Sequence, residues 1–173
     1  MRYQSSRLNQ VVYTAEVHKN GYLQMKIKNS DYVSVSSGKN VTVVSPSNLY
    51  DCWLGDDVFV GPFVEIQRGV SIGRRTRIQS HSFVCELVSI GEDCFVGHGV
   101  MFINDTFEDG APASGDKEKW KHTKIGDRVS IGSNATILPV QICSDVVIGA
   151  GAVVTKSINQ PGTYIGNPAL RKK

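Results

Sequence analysis

Beginning at Leu54, an apolar residue returns at every sixth position: Leu54, Val60, Ile66, Ile72, Ile78, Val84, Ile90, Val96 and Phe102. The series resumes at Ile125, Ile131 and Ile137, takes one five-residue step, and continues through Ile142, Ile148 and Val154. Hydrophobic residues make up 40% of the chain. At that frequency, fifteen preset positions would all be apolar by chance roughly once in a million. An α-helix cannot hold residues i, i+6 and i+12 on one face, because its side chains repeat about every 3.6 residues. Short strands joined by tight corners can. A six-residue unit is the signature of a parallel β-helix, in which each unit gives one strand and one corner.

A second regularity runs in phase with the first. Four residues after most interior positions sits a small residue, from Val58, Val64, Val70, Thr76, Ser82, Val88, Cys94, Val100 and Thr106 to Val129, Ala135, Val146 and Ala152. Gln141 and Ile158 are the exceptions. Glycine often follows the interior residue, as at Gly55, Gly73, Gly91, Gly132 and Gly149, where it is expected to supply permissive dihedrals at a turn. Three units make one triangular coil of eighteen residues. Five such coils, stacked at the strand spacing, predict a prism about 24 Å long over residues 48–158.

Three segments lack the period. Residues 1–47 read as a small N-terminal β cap of two hairpins. Val11–His18 and Tyr22–Lys28 flank Asn20-Gly21, and Tyr32–Ser36 and Val41–Val44 flank Ser37 to Asn40. Residues 108–124 interrupt the array as a long loop with charges of both signs and Trp120; loops of this length in a compact solenoid tend to be functional. Residues 159–173 form a tail that Pro161-Gly162 sets off.

Composition removes several classes. A net charge of +3, without a basic stripe, gives no argument for nucleic acid. No apolar run is long enough to span a membrane, and the N-terminal residues lack the apolar core of a signal peptide. Cys52, Cys85, Cys94 and Cys143 show no CxxC spacing. They read as reduced thiols of a cytoplasmic protein, with no metal framework.

Eighteen-residue spacing stacks corner residues into columns: Arg68, Glu86 and Asn104 in one, Pro62, Ser80 and His98 in a neighbour. His81 follows Ser80, and Asp105 follows Asn104 just before the loop. Carboxylates, an amide and an imidazole are thus expected to converge beside the loop's root, a reasonable pattern for a site. Arg171, with Lys172 and Lys173, could meet a cofactor phosphate.

The repeat resembles that of the hexapeptide-repeat acyltransferases, which form left-handed parallel β-helices, and Gly166-Asn167-Pro168-Ala169 is similar to their terminal segment. The stretch IQSHSFVCELVSIGEDCFVGHGVMFINDTF, the loop, and TKIGDRVSIGSNATILP are together similar to sugar-nucleotide N-acetyltransferases acting on dTDP-3-amino-3,6-dideoxyhexoses. That resemblance implies acetyl-CoA as donor, a nucleotide-linked amino sugar as acceptor in cell-surface glycan synthesis, and a homotrimer with sites between subunits. It implies Asn104 and Asp105 beside the reacting amine and Glu86 against the sugar. His81 and His98 become candidates for sugar or thioester contacts, with His98 suited as a base. Phe107 or Trp120 would pack on the nucleotide base. Gly132, Ser133, Gly149, Ala150 and Lys156 would line the groove for the pantetheine arm and phosphates. Three rival readings stay open. One is a sugar O-acetyltransferase of the same fold. Another is a zinc carbonic anhydrase, disfavoured by the spacing of His81, His98 and His122. The third is a non-catalytic assembly subunit.

Overall fold

The computed structural model describes residues 26–28 and 31–173. The chain winds as a left-handed parallel β-helix of three faces. The first face stacks Lys26–Lys28, Thr42–Val44, Phe59–Val60, Arg77–Ile78, Phe95–Val96, Ser130–Ile131, Val146–Ile148 and Gly162–Ile165. The second stacks Asp31–Val33, Asn48–Tyr50, Glu65–Ile66, Phe83–Val84, Met101–Phe102, Thr136–Ile137 and Val153–Val154. The third stacks Ser36–Ser37, Trp53–Leu54, Ser71–Ile72, Val88–Ile90, Thr123–Ile125 and Gln141–Ile142. Pairing within each face is parallel, apart from Leu170–Arg171, which folds back antiparallel on Gly162–Ile165.

Each strand is so short that one side chain points inwards and its neighbour outwards. Every interior position of the six-residue series is buried, from Leu54 to Val154, with Ile90 the most exposed at 3%. The small residues four places on fill the space behind each corner: Val58, Thr76, Ser82, Val129 and Ala135 are all at most 2% exposed. Thr76 and Ser82 satisfy their buried hydroxyls by donating to Gly91 O and Gly97 O at 2.9 Å. Burying one such aliphatic side chain is worth about 1.5–3 kcal/mol, and the column repeats that gain coil after coil.

The structure differs from the sequence expectation in three respects. The described chain makes seven coils rather than five. The hairpin expected around Ser37 to Asn40 is absent. Asp31–Val33, Ser36–Ser37 and Thr42–Val44 lie on three different faces, each paired in parallel with the next coil. Val43 and Leu49 are interior residues in register with Val60 and Ile66. They were masked by the five-residue step from Leu49 to Leu54. Of the other expected hairpin, residues 11–25 lie outside the described residues, and Lys26–Lys28 pairs in parallel with Thr42–Val44.

The third difference concerns glycine. The glycine after the interior residue serves close stacking instead of an unusual dihedral. A Cβ on Gly73 would lie 2.5 Å from the backbone of Gly91 in the next coil. Positive φ falls two residues later, where Asp57, Phe63, Arg75, His81, Leu87 and Asp93 turn successive corners with φ between 55° and 70°.

The tail extends the prism: Gly162–Ile165 continues the first face beyond Val146–Ile148. No described helix is long and apolar enough to cross a membrane. All four cysteines are free, and three are buried. Burial pushes the Cys52 thiol up to about 11 and the Cys85 thiol up to about 12, so neither is a nucleophile near neutral pH.

Candidate active site

Three faces make three edges, and each edge carries a different chemistry. The first edge joins the first face to the second and holds His81, His98, Ser133 and Ala150. Ser80 Oγ lies 2.8 Å from Nδ1 of His98, one coil on. The backbone stacks the same way, with Gly99 N donating to Ser80 O at 3.0 Å and Asn134 N donating to His98 O at 2.8 Å. The imidazole is exposed. In the tautomer whose Nδ1–H donates to Ser80 Oγ, Nε2 offers a lone pair to whatever binds along the edge. His81 instead stacks on Phe63, ring centroids 4.8 Å apart.

Beyond His98 the edge is made of small residues. A Cβ on Gly132 would stand 2.4 Å from Ala150 N, so the coils here approach as closely as backbone allows. Gly132 N, Asn134 N, Gly149 N and Gly151 N all donate to neighbouring coils. Among the described residues, the N–H groups of Ser133 and Ala150 donate to no backbone carbonyl. These two donors, with the exposed Asn134 between them, make a donor-lined track beyond the imidazole.

The second edge joins the second face to the third and carries the long loop. Asn104 Nδ2 donates to Glu86 O at 3.2 Å, one coil back. Glu86 Oε2 takes Lys117 Nζ at 2.7 Å, and the same ammonium lies 5.4 Å from the centre of the Trp120 ring. Arg68 is drawn away to Asp51, at 2.9 Å. The loop is ordered by its own contacts. Asp105 Oδ1 accepts from Phe107 N at 3.0 Å and Oδ2 from Ala113 N at 2.7 Å. These two N–H groups hold the Asp105 carboxyl below its usual range. Asp116 caps the single turn Lys117–Lys119 by accepting from Glu118 N at 3.2 Å, and Lys119 pairs with Asp109 and Lys121 with Glu108.

The third edge is a ladder of alternating charge. Arg75 grips Asp93 through two bonds, at 2.6 and 2.5 Å, and Arg128 grips Asp145 at 2.7 and 2.9 Å. Each arginine holds its carboxylate below the usual range. A depression of about 420 Å³ beside Lys124, Gln141 and Cys143 lies on the third face, away from both His98 and the loop.

The expected residues therefore separate into two groups. His81, His98, Gly132, Ser133, Gly149 and Ala150 share the first edge. Arg68, Glu86, Asn104, Asp105, Phe107, Trp120 and Lys156 belong to the second. His98 and Asn104 stand on different edges, with the strand Met101–Phe102 between them. Asp105, expected to orient a substrate, has both oxygens committed to the loop backbone. Arg171 is pinned by a 3.0 Å bond from Nη2 to Pro161 O. Lys117 went unread in the sequence, because its contact with Glu86 spans the loop, where no period operates. Among the described residues, no group of three His, Cys, Asp or Glu side chains could hold a metal ion.

Residues 51–86 match the bacterial transferase hexapeptide family (six repeats), and residues 87–101 and 122–156 match the hexapeptide repeat of succinyl-transferase. The chain is a hexapeptide-repeat protein. Among its relatives is a bifunctional protein GlmU of Limosilactobacillus fermentum, 34% identical over 108 residues, covering 62% of this chain and 21% of that one. A GlmU of Trichodesmium erythraeum is 31% identical over 138 residues, covering 75% and 29%. The hexapeptide-repeat protein thus spans less than a third of these curated relatives. Its fold is similar to that of a histidine-to-asparagine variant of perosamine N-acetyltransferase from Caulobacter crescentus, solved with CoA and GDP-perosamine. The TM-score is 0.63 at 23% identity, covering 80% of this chain and 57% of that one.

Proposed function

We propose that the protein is an acetyl-CoA-dependent N-acetyltransferase acting on the 3-amino group of a nucleotide-linked 3-amino-3,6-dideoxyhexose, dTDP-linked by resemblance, in cell-surface glycan synthesis. The observation that carries this reading is the exposed His98 imidazole, steadied by Ser80, at the head of the donor-lined track of Ser133 and Ala150. The track suits a pantetheine arm, whose amides need donors and little room. The solved relative with CoA and GDP-perosamine supports the same pairing of ligands.

In this reading the amine nitrogen attacks the thioester carbonyl of acetyl-CoA. His98 Nε2 takes the proton the amine loses as the C–N bond forms. A backbone N–H of the track stabilises the tetrahedral oxyanion. The C–S bond then breaks, and the imidazolium returns its proton to the departing thiolate. Gly132, Ser133, Gly149 and Ala150 position the cofactor and Lys156 meets its phosphates, while Glu86, Asn104 and Trp120 receive the sugar nucleotide.

The separation of His98 from Asn104 favours a homotrimer in which the first edge of one copy meets the loop edge of another. Such an enzyme would work in the cytoplasm, beside its nucleotide-sugar supply. The test is thiol release from acetyl-CoA with 3-amino and 4-amino dTDP- and UDP-sugars and their hydroxyl analogues. Turnover confined to an amino sugar supports the reading. Turnover confined to hydroxyl acceptors replaces it with O-acetylation, a chemistry represented among the fold's neighbours by a maltose O-acetyltransferase.

A further inference from the structure

The Glu86 side chain is only 18% exposed. A carboxylate so far withdrawn from water needs a cation. Arg68, in the preceding coil, is bound to Asp51. The cation comes instead from Lys117, thirty-one residues along the chain. Its ammonium is bounded by the Glu86 carboxylate on one side and the Trp120 ring on the other, a carboxylate and an aromatic face being two groups that attract such a cation. The Lys117 side chain is itself 54% exposed.

This contact joins the loop to the prism by a side chain, as Asp105 does at the loop's root through Ala113 N. The loop's other ion pairs, Lys119 with Asp109 and Lys121 with Glu108, join its own residues and would move with it.

We propose that Glu86 and Trp120 form a subsite for a primary ammonium group, that Lys117 fills it as a tethered stand-in, and that the ammonium of an acceptor displaces Lys117 and takes its place between the two groups. The part played by the acceptor rests on the amine reading of the function; the subsite itself does not. Glu86 holds the incoming group protonated; that group gives one proton to solvent as it leaves the subsite, so the amine reaches the thioester neutral and His98 takes the second proton as the C–N bond forms. Amine acceptors are selected at this step, because a hydroxyl carries no charge to replace that of Lys117.

The test uses the Trp53→Phe protein, whose remaining tryptophan is Trp120, without acetyl-CoA and at constant ionic strength. Vacating the subsite with Lys117→Met should let ethylammonium chloride titrate Trp120 fluorescence saturably, at a concentration at least tenfold lower than with Lys117 present. Sodium chloride should give no such response, and Glu86→Gln in the Lys117→Met background should abolish it. Matching circular dichroism spectra would show that the variants fold. No saturable ethylammonium response in Lys117→Met, or an equal one with sodium, overturns the subsite. In the Lys117 protein, a dTDP-3-amino sugar should bind at least tenfold tighter than its 3-hydroxy counterpart. Equal binding overturns the displacement step while leaving the ethylammonium result to stand for the subsite.

Discussion

At the scale of single residues, His98 and Ser80 are the pair to alter first. Removing a positioned base costs about 10²–10⁴ in rate. His98→Asn should lower kcat by that range while the KM for acetyl-CoA stays within a few-fold, as read by steady-state thiol release. Ser80→Ala should cost less, since the imidazole loses its steadying partner and keeps its place on the corner. Asp105 behaves differently. Its carboxylate binds two loop N–H groups that prefer it ionised. Its contribution is therefore complete above the unfolded carboxyl value of about 3.9 and is lost as the pH falls through the lower folded value. Asp105→Asn should expose the loop to protease at pH 7, and acid below about pH 4 should do the same to the unaltered protein. Retained protection in Asp105→Asn would take the carboxylate out of this role.

At the scale of the coil, the interior was legible and the edges were not. An interior position admits only an apolar side chain, so the series from Leu54 to Val154 wrote itself into the sequence and all of it is buried. Val43 and Leu49 obey the same rule, but a five-residue step breaks their phase, and two hairpins fitted the remaining pattern as well. Parallel and antiparallel pairing share an alternation of side chains, and only the next coil distinguishes them. Corner residues face solvent, where many side chains are tolerated; a column can be counted out, but not what its members bind. The chemistry at Glu86 was legible as a residue, and its occupant Lys117 was not. The interior also predicts energies. Ile78 is fully buried between coils, and Ile78→Ala should destabilise by about 2–5 kcal/mol, measurable as a shift in urea midpoint. On the outer edge, Asp93 and Asp145 are held ionised by Arg75 and Arg128. Their contribution also survives above about pH 4 and disappears below it. Arg75→Ala and Arg128→Ala together should lower the neutral plateau of a stability–pH curve and leave its acid end nearly unchanged, so that the acid limb flattens.

At the scale of the whole molecule, the prism is a one-dimensional stack, and each coil touches only its neighbours. Deleting residues 55–72, a full coil of eighteen, keeps every remaining residue on its own face. The shortened chain should retain its β spectrum and melt cooperatively at a lower temperature. The stack also sets the two groups of candidate residues on different edges. In the proposed enzyme a site drawing on both would form between molecules. Sedimentation of the purified protein as a trimer would agree with that arrangement; activity in a strictly monomeric form would rule it out.

The direction of the ladder bonds has a mechanical meaning. They run along the prism axis, bond by bond, from Thr42 N to Val58 O at one end to Gly149 N to Tyr164 O at the other. Tension applied between the two ends of the prism would load these bonds one at a time, as a zipper is loaded, instead of shearing a whole face at once. The molecule should yield at low force in a train of small steps. Each would release about 60 Å of contour for a coil of seventeen or eighteen residues. One step should stand out: the coil holding the loop has thirty-five residues between Val96 and its partner Ile131 and would release about 120 Å. An optical trap would find the position of the loop as the long interval in an otherwise even record.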